Sequence, residues 1–372
     1  MPIKVYKNGS SYTGDLVDGK RHGVGYNVTK DGDTYEGEWK NDKPHGHGVY
    51  SYNFGDTYTG EFKNGLPNGS GAMEYADGYS YRGEWRDGLW HGVGEEKYAT
   101  GEEYIGHFEN GVRCGDGTLI TQSGDEYRGA FKNGALNGEG ELKRSNGVRY
   151  KGEFKDGIPN GNGSFRYKNG DTYSGDVVNG KKHGKGTYRF SNGAIYEGEF
   201  AEDQIDGYGT ETMTNGDVFT GSRKNGVRCG FGTYVHKNGS RYEGMYADGQ
   251  PNGKGAYFYV GGDKYEGDFK DGKRHGYGVY THASGAIYKG EYRDGSPNGK
   301  GRYDYLGGHS YEGDFVNGVR EGYGIYTYPN GNRYEGEFKS GKLNGRGIMY
   351  YPNGSTRKGI WSNDVYVGKD EN

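Results

Sequence analysis

A Tyr-x-Gly start returns every 23 residues along most of this 372-residue chain, with neither insertion nor deletion. It opens at Tyr12, Tyr35, Tyr58, Tyr81, Tyr104, Tyr127, Tyr150, Tyr173 and Tyr196, takes Phe219 once, and resumes at Tyr242, Tyr265, Tyr288, Tyr311 and Tyr334. A period of this length means one small supersecondary unit stacked many times, each unable to bury its own apolar face without neighbours. Fifteen full copies fill residues 12–356. Residues 1–11 read as an N-terminal cap strand. Residues 357–372, opening on Arg357-Lys358-Gly359-Ile360-Trp361, read as a degenerate sixteenth copy and a tail.

Counting the opening aromatic as offset zero, glycine recurs at offsets 2, 7, 11, 13 and 20, and 76 of the 78 glycines fall on these positions. Such regularity marks backbone requirements, either a positive φ in a turn or close approach of a neighbour. In Tyr35-Glu36-Gly37-Glu38-Trp39-Lys40 the side chains alternate, so Tyr35, Gly37 and Trp39 share one face of a half-buried strand. Asn64-Gly65 and Asp87-Gly88 are the hairpin turns that close such strands. A second short strand is expected after offset 13. The fold class is therefore all-β, an elongated single-layer antiparallel array of hairpins, a twisted rod with a shallow groove. Thirty strands at about 4.8 Å each span on the order of 140 Å.

An apolar fraction of 30% is too small for several layered aliphatic cores, so the buried surface must be largely aromatic, supplied by 39 tyrosines. The net charge of −4 gives no overall drive toward nucleic acid. No stretch approaches the roughly 18 apolar residues of a membrane span and Met1-Pro2-Ile3-Lys4 lacks a secretory apolar run, so a cytoplasmic location is expected. Gly-x-Gly occurs in every repeat but never with the Gly-Lys-Ser/Thr of a phosphate loop. His22, His45, His91, His183 and His275 share offset 10 with Cys114 and Cys229. Equivalent atoms of adjacent repeats are about 9 to 10 Å apart, too far for one zinc, so these are expected to be turn residues that satisfy local backbone groups. The two cysteines, roughly 48 Å apart along such a rod, cannot pair within one chain. No catalytic set stands apart from the repeat, and the carboxylates at offsets 1 and 3 read as a solvated strand face. No enzyme activity, cofactor or metal is expected.

The pattern Tyr-x-Gly-Glu-Phe/Trp, then Asn-Gly, then His-Gly-x-Gly, as in Tyr35-Glu36-Gly37-Glu38-Trp39 followed by His45-Gly46-His47-Gly48, resembles the MORN repeat. With no second domain type in the chain, it is similar to the all-MORN cytoskeletal scaffolds of protists. That resemblance implies an elongated scaffold that forms homodimers through its C-terminal repeats. It also implies cytoskeletal or membrane-associated protein partners, a partner peptide held in the groove, or phospholipid binding.

Departures from the repeat are where a specific role would show. Asp203 replaces a turn glycine, Phe219 an opening tyrosine, and Ser222-Arg223 the acidic-aromatic pair, so a bend is expected near residues 203–223. Residues 12–126 carry a net charge of −11, whereas residues 127–195 carry +7. Arg128, Lys132, Lys143, Arg144, Arg149, Lys181, Lys182, Lys185 and Arg189 in that basic stretch are the expected contacts for an anionic lipid or an acidic partner. Tyrosine is concentrated at offsets 15 and 17 of the last five repeats, at Tyr257, Tyr259, Tyr280, Tyr303, Tyr305, Tyr326, Tyr328 and Tyr351. Stacking alone would not favour one end, so these eight are expected to form a dimer or partner interface.

Overall fold

The computed structural model describes residues 3–370, and every regular element among them is a β-strand. The chain divides into two compact units, Met1–Gly186 and Thr187–Asn372. Within each unit, strands pair antiparallel with their sequence neighbours into an open sheet. In the first unit, the cap strand Lys4–Val5 pairs with Ser11–Val17, and pairing continues in order to Thr172–Val178. In the second, it runs from Ile195–Ala201 to Val365–Gly368. The sequence therefore fixes both period and class correctly, as an array of 23-residue hairpins.

One repeat shows how. Strand Thr34–Lys40 turns through Asn41 and Asp42, whose φ values of 52° and 66° are those of a type I′ turn, into strand Lys43–Ser51. The second strand thus starts at offset 8, not after offset 13 as the sequence suggested. The cause is a bulge: Gly37 pairs with Gly48 and Trp39 with Pro44, so one residue opposes three. Gly46, at φ +64°, absorbs the kink. Glu38 braces it, its carboxylate accepting the His47 backbone N–H at 2.9 Å. The carboxylates of Glu61, Glu84, Glu153, Asp176 and Glu199 do the same in their repeats, so offset 3 is a structural position rather than a merely solvated one.

Gly37 and Gly48 face each other because the Tyr35 ring lies across them. A Cβ on Gly48 would come within 2.6 Å of ring carbons Cε2 and Cζ. The Tyr35 hydroxyl reaches past the glycines to donate to the Glu38 carbonyl at 2.9 Å. Tyr35 is 1% exposed and Trp39 4%. The aromatic at offset 4 is wedged edge-to-face between two tyrosines, Trp39 being 5.0 Å from Tyr35 and 5.5 Å from Tyr12 of the preceding repeat. The same joint recurs through Phe62, Trp85 and Phe108, and Phe131 keeps the half that faces Tyr104. In the second unit it runs from Phe219–Tyr246 to Tyr334–Trp361. Each such pair contributes about 0.5–1.5 kcal/mol beyond the area it buries.

Repeat six departs from this plan. Leu136, not Tyr127, covers Gly129 and Gly140, and Tyr127 is left half-buried. At the expected bend, pairing continues from Gly207 opposite Arg223 to Thr212 opposite Val218, and Asp203 adopts φ 71° in an ordinary turn, as Asp42 does. Arg223 fills the aromatic's place. Its guanidinium lies 5.3 Å from the Phe219 ring and pairs with Glu211, which Arg228 also meets at 3.4 Å.

Candidate functional site

The inner face of the second unit carries a continuous row of half-buried rings. From Tyr234 the contacts run through His236, Tyr257, Tyr259, Tyr280, His282, Tyr303, Tyr305 and Tyr326 to Tyr328, with centroid spacings from 4.2 to 6.2 Å. Seven of the eight tyrosines expected at a contact surface lie in this ladder. Tyr351, also half-buried, continues the column in the last full repeat. The rings pack on the core as well as on one another, so they are partly structural.

Polar residues fix the ladder, three of them (Asp217, Asp263 and His309) two positions before an opening aromatic and the fourth, His282, within the ladder itself. Tyr234 donates to Asp217 at 2.7 Å and Tyr280 to Asp263 at 2.5 Å; Tyr303 meets His282 Nε2 at 2.8 Å and Tyr326 meets His309 Nδ1 at 3.1 Å. Burial first, and the carboxylate second, push the Tyr234 hydroxyl up to about 12. The same hydroxyl bonds lower the acids: Tyr234, then the Lys237 backbone, for Asp217, and Tyr280, then the Ala283 backbone, for Asp263. Arg274 and Arg320 lie beneath, the first 5.2 Å from the Tyr280 ring and the second 4.9 Å from the Tyr326 ring. The result is a trough of ring faces, hydroxyls and guanidinium groups held in place by their own contacts.

The nine basic residues expected to meet an anion do not form one surface. Arg128, Lys143 and Arg149 line a shallow concavity of about 670 Å³ on the outer face of the first unit, together with Lys151 and Arg166, which were not among the nine. Lys185 is exposed on the outer-face offset. Lys132 and Arg144 are exposed at strand ends away from the concavity, and Lys181 begins its strand. Lys182 is a correction: it is 8% exposed, faces inward, and donates to the Tyr167 hydroxyl at 3.1 Å. Offset 9 belongs to the inner face because the bulge pairs it with the aromatic at offset 4, a consequence invisible before the register is known. Arg189 lies in the other unit.

The histidine column also differs from expectation. Offset 10 lies within the second strand, and the Nδ1 atoms of His22, His45, His91 and His183 are buried with no hydrogen-bond partner among the described residues. Their backbone carbonyls make the local bonds, as His183 does in accepting the Tyr173 hydroxyl at 3.2 Å. Among the described residues no group of histidine, cysteine and acidic side chains is placed to hold a metal, and both cysteines are free thiols. Two ion clusters, one built on a buried carboxylate and one half-buried, are not evident from the sequence pattern. Glu96, 4% exposed, accepts from Arg113 at 2.7 Å and from the Tyr98 hydroxyl at 2.9 Å. Glu211 with Arg228 repeats that arrangement five repeats later. The shared Gly-Val-Arg-Cys-Gly context of Arg113 and Arg228 was the available signal.

A family model described as the MORN repeat matches fifteen stretches of the chain, from residues 12–34 to residues 334–356. No curated protein matches it. Among solved structures, the TCP domain of Drosophila melanogaster SAS-4 in complex with a proline-rich motif of Ana2 is 12% identical, covering 48% of this chain and 90% of that one at a TM-score of 0.29. The TCP10 domain of Danio rerio CPAP is 13% identical, covering 59% and 94% at a TM-score of 0.21. A streptogramin B lyase is 13% identical, covering 78% and 81% at a TM-score of 0.12. Likenesses with TM-scores this low carry no argument about function.

Proposed function

This chain belongs to the MORN repeat family, and from that premise we propose that it is a non-enzymatic scaffold that organises cytoskeletal or membrane-associated structures inside the cell as a homodimer joined through its C-terminal repeats. The observation that carries this reading is the ladder from Tyr234 to Tyr328: ten rings, held by their hydroxyl and imidazole partners, that keep part of their surface open to solvent. Tyrosine gives large contact area at small entropic cost, and a surface of mixed donors and acceptors can complement its own copy across a two-fold axis. A binding role also agrees with the acidic residues, because those at offset 3 are committed to bracing bulges.

Light scattering on the full chain tests the proposal. The expected mass is twice that of one chain, and Tyr280→Ser with Tyr303→Ser should return it to the monomer. A monomeric parent chain at micromolar concentration would refute the homodimer. One observation favours a second reading, in which the trough holds an extended partner segment. Its rings are fixed before any ligand arrives, and Arg274 and Arg320 recur two repeats apart along its floor, as a repeating peptide contact would require.

A further inference from the structure

The outer face of repeats six to eight contains an electrostatic arrangement that a free sheet should avoid. Lys143 stands directly opposite Arg149, and Arg149 directly opposite Arg166, on three consecutive strands. Directly opposed side chains on one face have Cβ atoms about 4.5–5.5 Å apart, and like charges there are destabilising. All three are exposed. Neighbouring cations are neutralised: Lys151 by Glu141 at 2.9 Å, Arg128 by Glu126 at 3.4 Å, and Lys143 by Glu126 at 3.6 Å. Neither Arg149 nor Arg166 forms an ion pair among the described residues, although the Arg149 charge reaches Glu141 and adds to what Lys151 and Arg128 do in lowering its pKa. They line the 670 Å³ concavity with the hydroxyls of Ser164, Thr172 and Ser174.

We propose that this concavity binds a phosphorylated serine or threonine of a partner polypeptide, with Arg149 and Arg166 gripping the phosphoryl oxygens and the hydroxyls of Thr172 and Ser174 completing the cradle. Two guanidinium forks offer the paired N–H donors that a phosphoryl group accepts, and its charge removes the repulsion between them. Glu141 and Glu126 lie on strands one and two places from that of Arg149, about 5 and 10 Å away. An extended peptide rises about 3.3 Å per residue, so a basic side chain about two to three residues from the phosphate competes with Lys151 for Glu141 and with Arg128 and Lys143 for Glu126. A membrane fits less well. The apolar lining residues Leu142, Tyr150, Phe165 and Tyr173 are all buried, so no exposed apolar side chain of the concavity can enter a bilayer. Glu126, Glu139 and Glu141 share the same face and would be pressed against anionic headgroups.

The test uses the full chain and a fluorescein-labelled peptide, Gly-Arg-Arg-Gly-Ser-Gly-Gly, with and without phosphate on its serine. Fluorescence anisotropy should show the phosphorylated form binding at least about tenfold more tightly. Arg149→Ser with Arg166→Ser should abolish that difference, whereas Lys132→Ser with Arg144→Ser should leave it unchanged. Without peptide, the Arg149→Ser, Arg166→Ser variant should melt no lower than the parent, because it loses a repulsion and no ion pair; its melting curve also certifies that it folds. Equal affinity for the two peptides, absence of binding, or a phosphate preference that survives the double substitution each overturns the proposal. So does Arg149-dependent and Arg166-dependent binding to vesicles of equal phosphatidylcholine and phosphatidylserine without binding of the phosphopeptide, which would assign the cradle to a lipid surface.

Discussion

Replacing Gly278 by alanine isolates the contact on which every repeat depends. Gly278 pairs with Gly267 beneath the Tyr265 ring, and a Cβ there would lie 2.5 Å from ring carbons Cε2 and Cζ. Restoring an ordinary carbon contact moves the ring by about 1 Å. That ring meets Phe269 and Tyr292 edge-to-face, each at 5.1 Å, and its hydroxyl donates to the Asp268 carbonyl at 2.9 Å. Overpacking, one weakened hydrogen bond and two disturbed aromatic joints together cost about 3 kcal/mol. Gly295→Ala is the control: its φ is +93° with nothing within 4 Å of the new Cβ, so only backbone strain of about 1–2 kcal/mol applies. Neighbour-stacked arrays open locally, so hydrogen exchange with peptide resolution on the full chain is the assay. Exchange in Lys264–Lys270 and Lys273–Thr281 should rise about a hundredfold for Gly278→Ala, while the distant strand Thr57–Lys63 keeps its protection. A Gly278→Ala effect no larger than that of Gly295→Ala would refute the idea that the glycine exists to seat the tyrosine.

Arg113→Met strands the carboxylate of Glu96 and should destabilise its repeat by about 3 kcal/mol, with partial recovery on adding Glu96→Gln; chemical denaturation in which neither change registers would contradict a structural ion pair. Burial raises the Tyr104, Tyr150 and Tyr334 hydroxyls to about 12. A raised folded pKa contributes stability that is complete below the unfolded value near 10 and is lost as pH rises through 12, so phenolate absorbance should appear together with cooperative unfolding in that window. Asp217 and Asp263 are lowered, so their contribution is present above the ordinary carboxylate pKa and lost as pH falls through the depressed one. Acid should therefore loosen the Tyr234 and Tyr280 contacts, visible as a change in tyrosine fluorescence that Asp263→Asn reduces.

The period, the hairpins and the inward face of Tyr35 and Trp39 were legible because each is a local pattern in sequence. The second strand's start was not, because Pro44 and Gly46 imitate a loop and only the bulge between Gly37 and Trp39 carries the strand past them. The same register shift turns Lys182 inward, and the strand pairing that sets Arg166 opposite Arg149 does not show in charge density. The tyrosines at offsets 15 and 17 were recognisable by their uneven distribution. Their tethering by Asp217, Asp263, His282 and His309 depends on which residues the inter-repeat turns bring together.

The aromatic at offset 4 has a consequence for how such chains can change length. Trp39 belongs half to its own repeat and half to the one before, so no repeat is complete by itself and no boundary between repeats is a natural place to cut. A deletion or duplication of 23 residues, begun at any point in the frame, nevertheless rejoins a tyrosine to an aromatic of the kind it had before. Loss of a number of residues that is not a multiple of 23 leaves a ring without its glycines. Unequal recombination between neighbouring copies could therefore lengthen or shorten the array while each new junction inherits a core already in use, so residues as far apart in the chain as Arg149 and Tyr303 can be respaced without being redesigned.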